Sequence, residues 1–592
     1  MPLRQQKFTI IQDNLQDIID VDASDGRSVP VNMNFVDEGY LTKDTGIALF
    51  GNAQASLLHS LFYFKKKNGN SFIVAGTGKS LKYYSSGTGL WTDIAAGTVT
   101  ITVASPAVAT LVAHGFKAGT PITFSTTGAL PTGVTAGTTY YVIATGLTSD
   151  AFQFSATVGG AAINTSGTQS GVHTVTRVYT EGAEFGFTVY NDELYGGNGV
   201  ENFFKWTGTA LTEYDTAPKG NITEVFEDRF FIAGVTAEPL TAYYSNVGNP
   251  TTFTPTDLVK PLGTDSITNL KNYYGTMLIF KQDSIWKLTF NYDQVVSLFV
   301  PKLEQQSGTY GACSRKAVSW VENDLWFFTG REVRAIGFSD NVSGIFGINQ
   351  SVISEPIKET LKRVSIENFK KVIVFYENRR FYLGVPLETG TVDTVFVCHT
   401  LYKNSWTKYT GRDKARVNDF MVVDGNVYST KAVAPFGAIR WTASLNDIAT
   451  PISSQVFFRR LQDKQFNRFR IFRYLDILFK DLVGTIELTI RQEASDLAEE
   501  KNKSFFLGNS SFGALIGEVM FGDGLFAGGV AGSIEYSPFI KKRVSFLSKN
   551  QAIVLGLGNS ELDETFTIAQ FAFMGMEQPE KLFSSSKIIS VV

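Results

Sequence analysis

The sequence predicts an all-β protein: a β-propeller interrupted by a small inserted β domain and followed by a C-terminal β-rich platform domain. Three observations predict it. Turn dipeptides ahead of short aromatic strands recur along the chain, one stretch of different texture breaks their rhythm, and the rhythm stops after Trp441. Composition agrees. Aromatic residues supply 13% of the chain and charged residues only 18%, against a usual charged share of about 25%, and rings pack well on pleated surfaces. At 592 residues the chain is also several times the common domain length of about 100–150 residues.

Residues 1–35 are expected to form an N-terminal arm. The opening MPLRQQKFTIIQDNLQ has neither a long apolar core nor a small-residue cleavage site, so it is not read as a secretory signal. Propeller strands are expected over 36–97 and again over 176–442. The turns that define them are Asn68-Gly69, Asn191-Asp192, Glu227-Asp228, Tyr274-Gly275, Glu322-Asn323, Glu377-Asn378 and Asp424-Gly425. From Asn191 onward their spacings are 36, 47, 48, 55 and 47 residues; the first, from Asn68, is 123 and falls to 41 when residues 96–177 are set aside. Strand pairs such as ELYGG with NFFKW and TMLIFK with SIWKLTF follow these turns and fit antiparallel hairpins. An isolated hairpin leaves one face wet, whereas radial stacking of four-stranded units buries both faces. Six to eight blades are expected, the last borrowing an N-terminal strand; a non-closed pair of stacked sheets is the alternative. Trp91, Trp206, Trp286, Trp326, Trp406 and Trp441 are assigned to structural contacts between blades, and any exposed one to a sugar-binding platform instead.

Residues 98–175 are read as the inserted module. Thr-rich strands alternate with the turn signals HGF, GTP, TGALPTG and GLTSD, almost without charge, and an insertion of this kind is tolerated where its two ends meet at a loop. The order of HG, TGALPTG, TTYYV and DAFQFS resembles a small β module embedded in many bacteriophage virion and tail proteins. Residues 443–592 are read as the platform, with strands in GTIELTIRQ and TFTIAQFAFMG and a surface completed by oligomerisation. Its basic run, Arg459, Arg460, Lys464, Arg468, Arg470, Arg473 and Lys480, is interleaved with aromatic residues. That pattern fits a charged strand face at a channel or subunit contact, or transient contact with passing DNA.

The chemistry-bearing residues form no constellation in sequence. His59, His114, His173 and His399 lack metal-ligand spacing, and Cys398 and His399 are neighbours whose side chains point to opposite faces of a strand. GTGKS at 76–80 lacks the opening of a phosphate loop, and the turn carboxylates suit turns better than glycoside hydrolysis. No catalytic residue, cofactor or metal site is assigned, and the chain is not expected to be an enzyme. Cys313 and Cys398 give no disulfide framework. No apolar run is long enough for a membrane helix, so no stable membrane insertion is expected, and a net charge of -3 gives no global pull on nucleic acid.

FVDEGYLTKDTGIALFG, the repeated sheet units through Trp441, and FFRRLQDKQFNRFRIFRYLDILFKDLVGTIELTIR together resemble the propeller-containing nozzle or hub protein of a short-tailed bacteriophage. That resemblance implies a homo-oligomeric ring on the tail axis, a hexamer with trimeric or twelvefold order as the alternatives, assembled in the host cytoplasm and carried in the virion. It also implies contacts with an adaptor or tube protein and with fibre, spike or needle proteins, and a channel for double-stranded DNA during genome ejection. A peripheral carbohydrate-binding or adhesion protein of the tail is the alternative, and a propeller glycosidase a further one.

Overall fold

The structure, a computed structural model, describes residues 4–9, 29–36, 40–294, 298–338, 346–348, 352–401, 405–448, 450–457, 461–462, 470–483, 485–493, 501–508, 540–550, 552–560 and 565–577. Among these, seven four-stranded antiparallel units stand in a ring. Their first strands are Leu58–Lys65, Gly186–Tyr190, Ile222–Phe226, Ile267–Tyr273, Val318–Val321, Ile373–Glu377 and Phe420–Val423. These first strands pack against one another around the axis.

Most first strands turn back through two residues, and the turn chemistry explains the recurring dipeptides; the first blade uses a longer loop between Lys65 and Ser71, and in the fifth only Glu322 is left-handed. Asn191 and Asp192 have φ of 46° and 68°, Glu227 and Asp228 46° and 57°, Tyr274 and Gly275 44° and 74°, and Asp424 and Gly425 47° and 76°. Two left-handed residues in succession give the hairpin turn whose twist matches that of paired strands. In the sixth blade the turn read as Glu377-Asn378 falls one residue later. Glu377 ends its strand opposite Arg380, and Asn378 and Arg379 turn with φ of 49° and 58°; asparagine enters the left-handed region more readily than glutamate.

The turn carboxylates also tie neighbouring blades together. The Lys67 amide donates to Asp192 Oδ1 at 2.6 Å, the Tyr190 hydroxyl to Asp228 Oδ1 at 2.7 Å, and the Thr400 hydroxyl to Glu322 Oε1 at 2.9 Å. Rings fill the wedges between blades. Trp206, 1% exposed, packs on Phe72 and Tyr83 of the first blade with centroids 5.0 and 5.5 Å away. Trp326 meets Phe381 at 5.1 Å, Trp441 meets Phe375 and Phe420 at 5.8 and 5.9 Å, and Trp91 meets Phe50 at 6.1 Å. Trp286 lies in the core shared by the third and fourth blades, and Trp406 donates its indole N–H to Ile353 O. The 55-residue spacing arises from short helical turns over Glu355–Ile357, Lys358–Leu361 and Ile366–Lys371, which bury Ile357, Leu361 and Phe369.

The ring closes by strand exchange between its ends. The seventh blade supplies Phe420–Val423, Asn426–Lys431 and Phe436–Trp441, and Ile47–Gln54 completes it, with Ile47 opposite Trp441. Closure removes two free sheet edges. Asn446–Asp447 and Thr450–Pro451 extend this same sheet, so the platform starts at Ser454 and not at residue 443. The insertion is a seven-stranded module between Ala96–Ile101 and His173–Arg177, whose ends lie side by side, Ala96 opposite Thr176. Its core of Phe116, Phe124, Phe152, Phe154 and Val175 is its own.

The platform has two sheets. One holds Met33–Phe35, Leu41–Lys43, Thr565–Glu577, Arg470–Val483 and Ile540–Asn550, with Arg4–Thr9 beside Thr565–Glu577; the other holds Ser454–Phe457, Leu461–Gln462, Ala552–Asn559, Thr485–Glu493 and Lys501–Gly508. Alternate residues Leu475, Ile477 and Phe479 of one face Ile486, Leu488 and Leu557 of the other. Two expectations are corrected here. Arg4–Thr9 and Met33–Phe35 are platform strands and not a separate arm, and Leu41–Lys43 does not belong to the propeller, because Arg4–Thr9 pairs with Thr565–Glu577, Leu41 and Thr42 pair with Ile568 and Thr567, and Lys43 bonds Asn559. The same core continues into the ring through Trp326, Phe381 and Trp406. Pro30 to Asn32 staple the join, bonding Lys408 on one side and Gln455 on the other.

Candidate functional site

Each blade's first strand begins near the axis, and the residues just ahead of these strands converge there. Arg315 and Lys316 precede the fifth blade. The guanidinium of Arg315 contacts Glu184 Oε2 at 2.7 Å and donates to Phe185 O at 2.8 Å, both from the second blade. Lys316 Nζ donates to His59 O of the first blade at 2.9 Å and to Asn418 O of the seventh at 2.7 Å. It lies 3.5 Å from each of the Glu184 and Asp419 carboxylates. Asn269 of the fourth blade bonds Arg315 O, and the Val374 amide of the sixth donates to Lys316 O at 2.8 Å. Blades one and two stand across the ring from blade five, so these two cations reach across the axis.

The electrostatics follow from that placement. Burial works to raise the Glu184 pKa, but Lys316 and Arg315 overcome it and hold the carboxyl down at about 2. Burial first and the Lys316 charge second bring His59 down to about 4. Asp419 moves up because burial outweighs the help of Lys316 and of the Leu61 amide, which donates to it at 2.8 Å. The unfolded chain therefore takes up a proton at His59 before the folded one does. This contribution to stability is full above about pH 6.5 and is lost as pH falls toward 4. We expect His59→Gln to flatten the acid limb of a stability-against-pH profile between those values by on the order of 2–3 kcal/mol; an unchanged limb in denaturant titrations would count against it.

A second feature lies at the seam between module and ring, a cleft of about 640 Å³. Arg177 of the module and Glu213 of the second blade meet at its base, Nε to Oε1 at 2.9 Å, 1% and 0% exposed. Thr120 and Asn202 each donate to Glu213 Oε2 at 3.0 Å, and Arg177 donates to the Tyr179 hydroxyl at 2.8 Å.

The residues singled out in sequence fall elsewhere. Arg459, Arg460, Lys464 and Arg468 lie outside the described residues; Arg470, Arg473 and Lys480 are on the platform strand Arg470–Val483. The six selected tryptophans are in or beside the blade cores. The seventh, Trp320, is 39% exposed beside Tyr274, which is 51% exposed, with their centroids 5.9 Å apart. GTGKS forms the hairpin turn between Ser71–Thr77 and Ser80–Ser85. His173 bonds Thr126 and Gln169, His399 is buried, and Cys313 and Cys398 are not joined by a disulfide. Among the described residues no His, Cys, Asp or Glu trio is placed to hold a metal, and no helix is long and apolar enough to cross a membrane. The sequence reading missed Glu184, Arg315, Lys316 and Asp419; their one shared signal is position, one to three residues ahead of a first strand.

No protein-family model and no curated protein matches the chain. Among solved structures, an exo-β-1,3-galactanase of Phanerochaete chrysosporium with galactose aligns over 66% of this chain and 95% of its own, at 7% identity and a TM-score of 0.21. A putative 6-phosphogluconolactonase of Bacteroides uniformis aligns over 55% of this chain and 96% of its own, at 11% identity and a TM-score of 0.32. The expectation that the chain is not an enzyme is corrected on this finding: an enzyme and a putative enzyme are among its structural neighbours. At these scores neither activity passes to this chain.

Proposed function

We propose that the chain is a subunit of the axial hub or nozzle of a short-tailed bacteriophage, joining tube or adaptor to fibre, spike or needle proteins and extending the DNA exit path. The observation that carries this reading is that ring and platform share one apolar core while the ring's own axis is crossed by Arg315 and Lys316. A body of that kind suits a rigid wall block. DNA then passes between subunits of a closed ring, for which sixfold symmetry is our choice. Exposed Tyr274 and Trp320, with Tyr292 and Phe299 at 55% and 59% exposure on a protruding hairpin, offer contacts to neighbouring proteins.

A cryo-electron microscopy reconstruction of intact particles tests this directly. The expected map has six copies around the tail axis, with DNA density between them and none through a propeller. Copies found only away from the exit path would overturn the hub reading. They would favour the second one, a peripheral glycan-binding tail protein, for which the seam cleft speaks.

A further inference from the structure

The floor and the rim of the seam cleft differ in kind. Its floor is committed: Arg177 is ion-paired with Glu213, and Thr120 and Asn202 donate to the other carboxylate oxygen. Its rim is not. Among the described residues the side chains of Lys79, Tyr141, Glu181 and Lys219 line the cleft and make no hydrogen bond or ion pair within the chain. Two folding units contribute, Tyr141 from the module and the other three from the ring or the segment leading into it. The gap is therefore a joint between two packed bodies and not a fault in either core.

We propose that this cleft binds a short saccharide. Its volume, about 640 Å³, falls within the range of about 300–1,000 Å³ typical of small-ligand sites. Sugar hydroxyls both donate and accept, which matches a rim carrying ammonium donors, a carboxylate acceptor and a phenol that does either. The half-buried Tyr141 ring presents an apolar face for the C–H side of a pyranose. Lys79 and Lys219 stand against Glu181 and Glu201, so the rim balances its charges and recognises a sugar through its hydroxyls. This site stands whether the chain sits on the tail axis or on its periphery.

The test is titration of the full chain with galactose, N-acetylglucosamine and galacturonic acid at millimolar concentration, read by saturation-transfer NMR and calorimetry. At least one of the three sugars is expected to saturate, and the tightest of them gives the reference Kd. Lys219→Ala and Tyr141→Ala are each expected to raise that Kd about fivefold, with melting temperatures near that of the parent. Lys79→Ala, at an exposed position, gives a third variant in which loss of fold does not interfere. Absence of saturation by all three sugars overturns the proposal, as does saturation that all three variants leave intact.

Discussion

Arg412→Met is expected to cost about 3–5 kcal/mol, the price of leaving a buried charge without its partner. Arg412 forks onto Asp447, Nε to Oδ2 at 2.7 Å and Nη2 to Oδ1 at 2.6 Å, and reaches Asp44 Oδ2 at 2.6 Å. Lys414 Nζ adds a contact to Asp44 at 2.9 Å, and the Tyr409 hydroxyl donates to Asn34 Oδ1 at 2.7 Å. Two cations and two carboxylates thus balance in a site where Arg412 and Asp44 side chains are 6% and 3% exposed. Methionine keeps the volume but leaves two carboxylates against one ammonium. Arg412→Lys keeps the charge and loses the planar fork, so a smaller loss is expected. Pairing Arg412→Met with Asp447→Asn restores the balance and is expected to recover much of the stability. The cluster ties Asp44, on the way from platform to ring, to the linker between the sixth and seventh blades and to Asp447 beyond the seventh. Loosening should therefore appear as earlier proteolysis within residues 444–454 and a lower denaturant midpoint. A midpoint unchanged from the parent would remove the cluster from any account of ring closure.

How much of this was legible in the sequence depended on how local the cause was. Asn191-Asp192 and Asp424-Gly425 could be read because a two-residue left-handed turn restricts which residues stand there. The module could be read because its Thr-rich strands and turns differ in texture from the aromatic blades on either side. Leu41–Lys43 gave no such sign: three residues are too short to carry a period, and their partner strand lies more than 500 residues further on. The axial cluster was less legible again. Glu184, Arg315 and Asp419 are each more than 100 residues from the next, and only closure of seven blades brings them to one point. Local pattern supplied the blades and, from their count, the N-terminal strand that completes the last one; it withheld which side chains meet across the ring.

The same distinction governs the module. In Arg177→Met, Glu213 keeps its hydrogen bonds from Thr120 and Asn202 but loses the cation paired with it while remaining 0% exposed. A loss of about 3–5 kcal/mol is expected, expressed as undocking, because the module's own core of Phe124, Phe152 and Phe154 is not touched. Arg177 also lies over the Tyr179 ring at 4.3 Å, so Arg177→Lys should rescue charge but not that stacking. Removing the module entirely, by joining Ala95 to Val178 through a short linker, is expected to cost the ring less than the single methionine does. With the module gone, water reaches Glu213 and solvates it, and the penalty of an unpaired buried charge disappears. Arg177→Met combined with Glu213→Leu should likewise recover stability by removing the orphaned carboxylate. Hydrogen exchange along Leu211–Tyr214, the strand carrying Glu213, separates these outcomes: faster in Arg177→Met, and near the parent's in the double variant. Equal exchange in parent and Arg177→Met would mean that the ion pair does not hold the seam together.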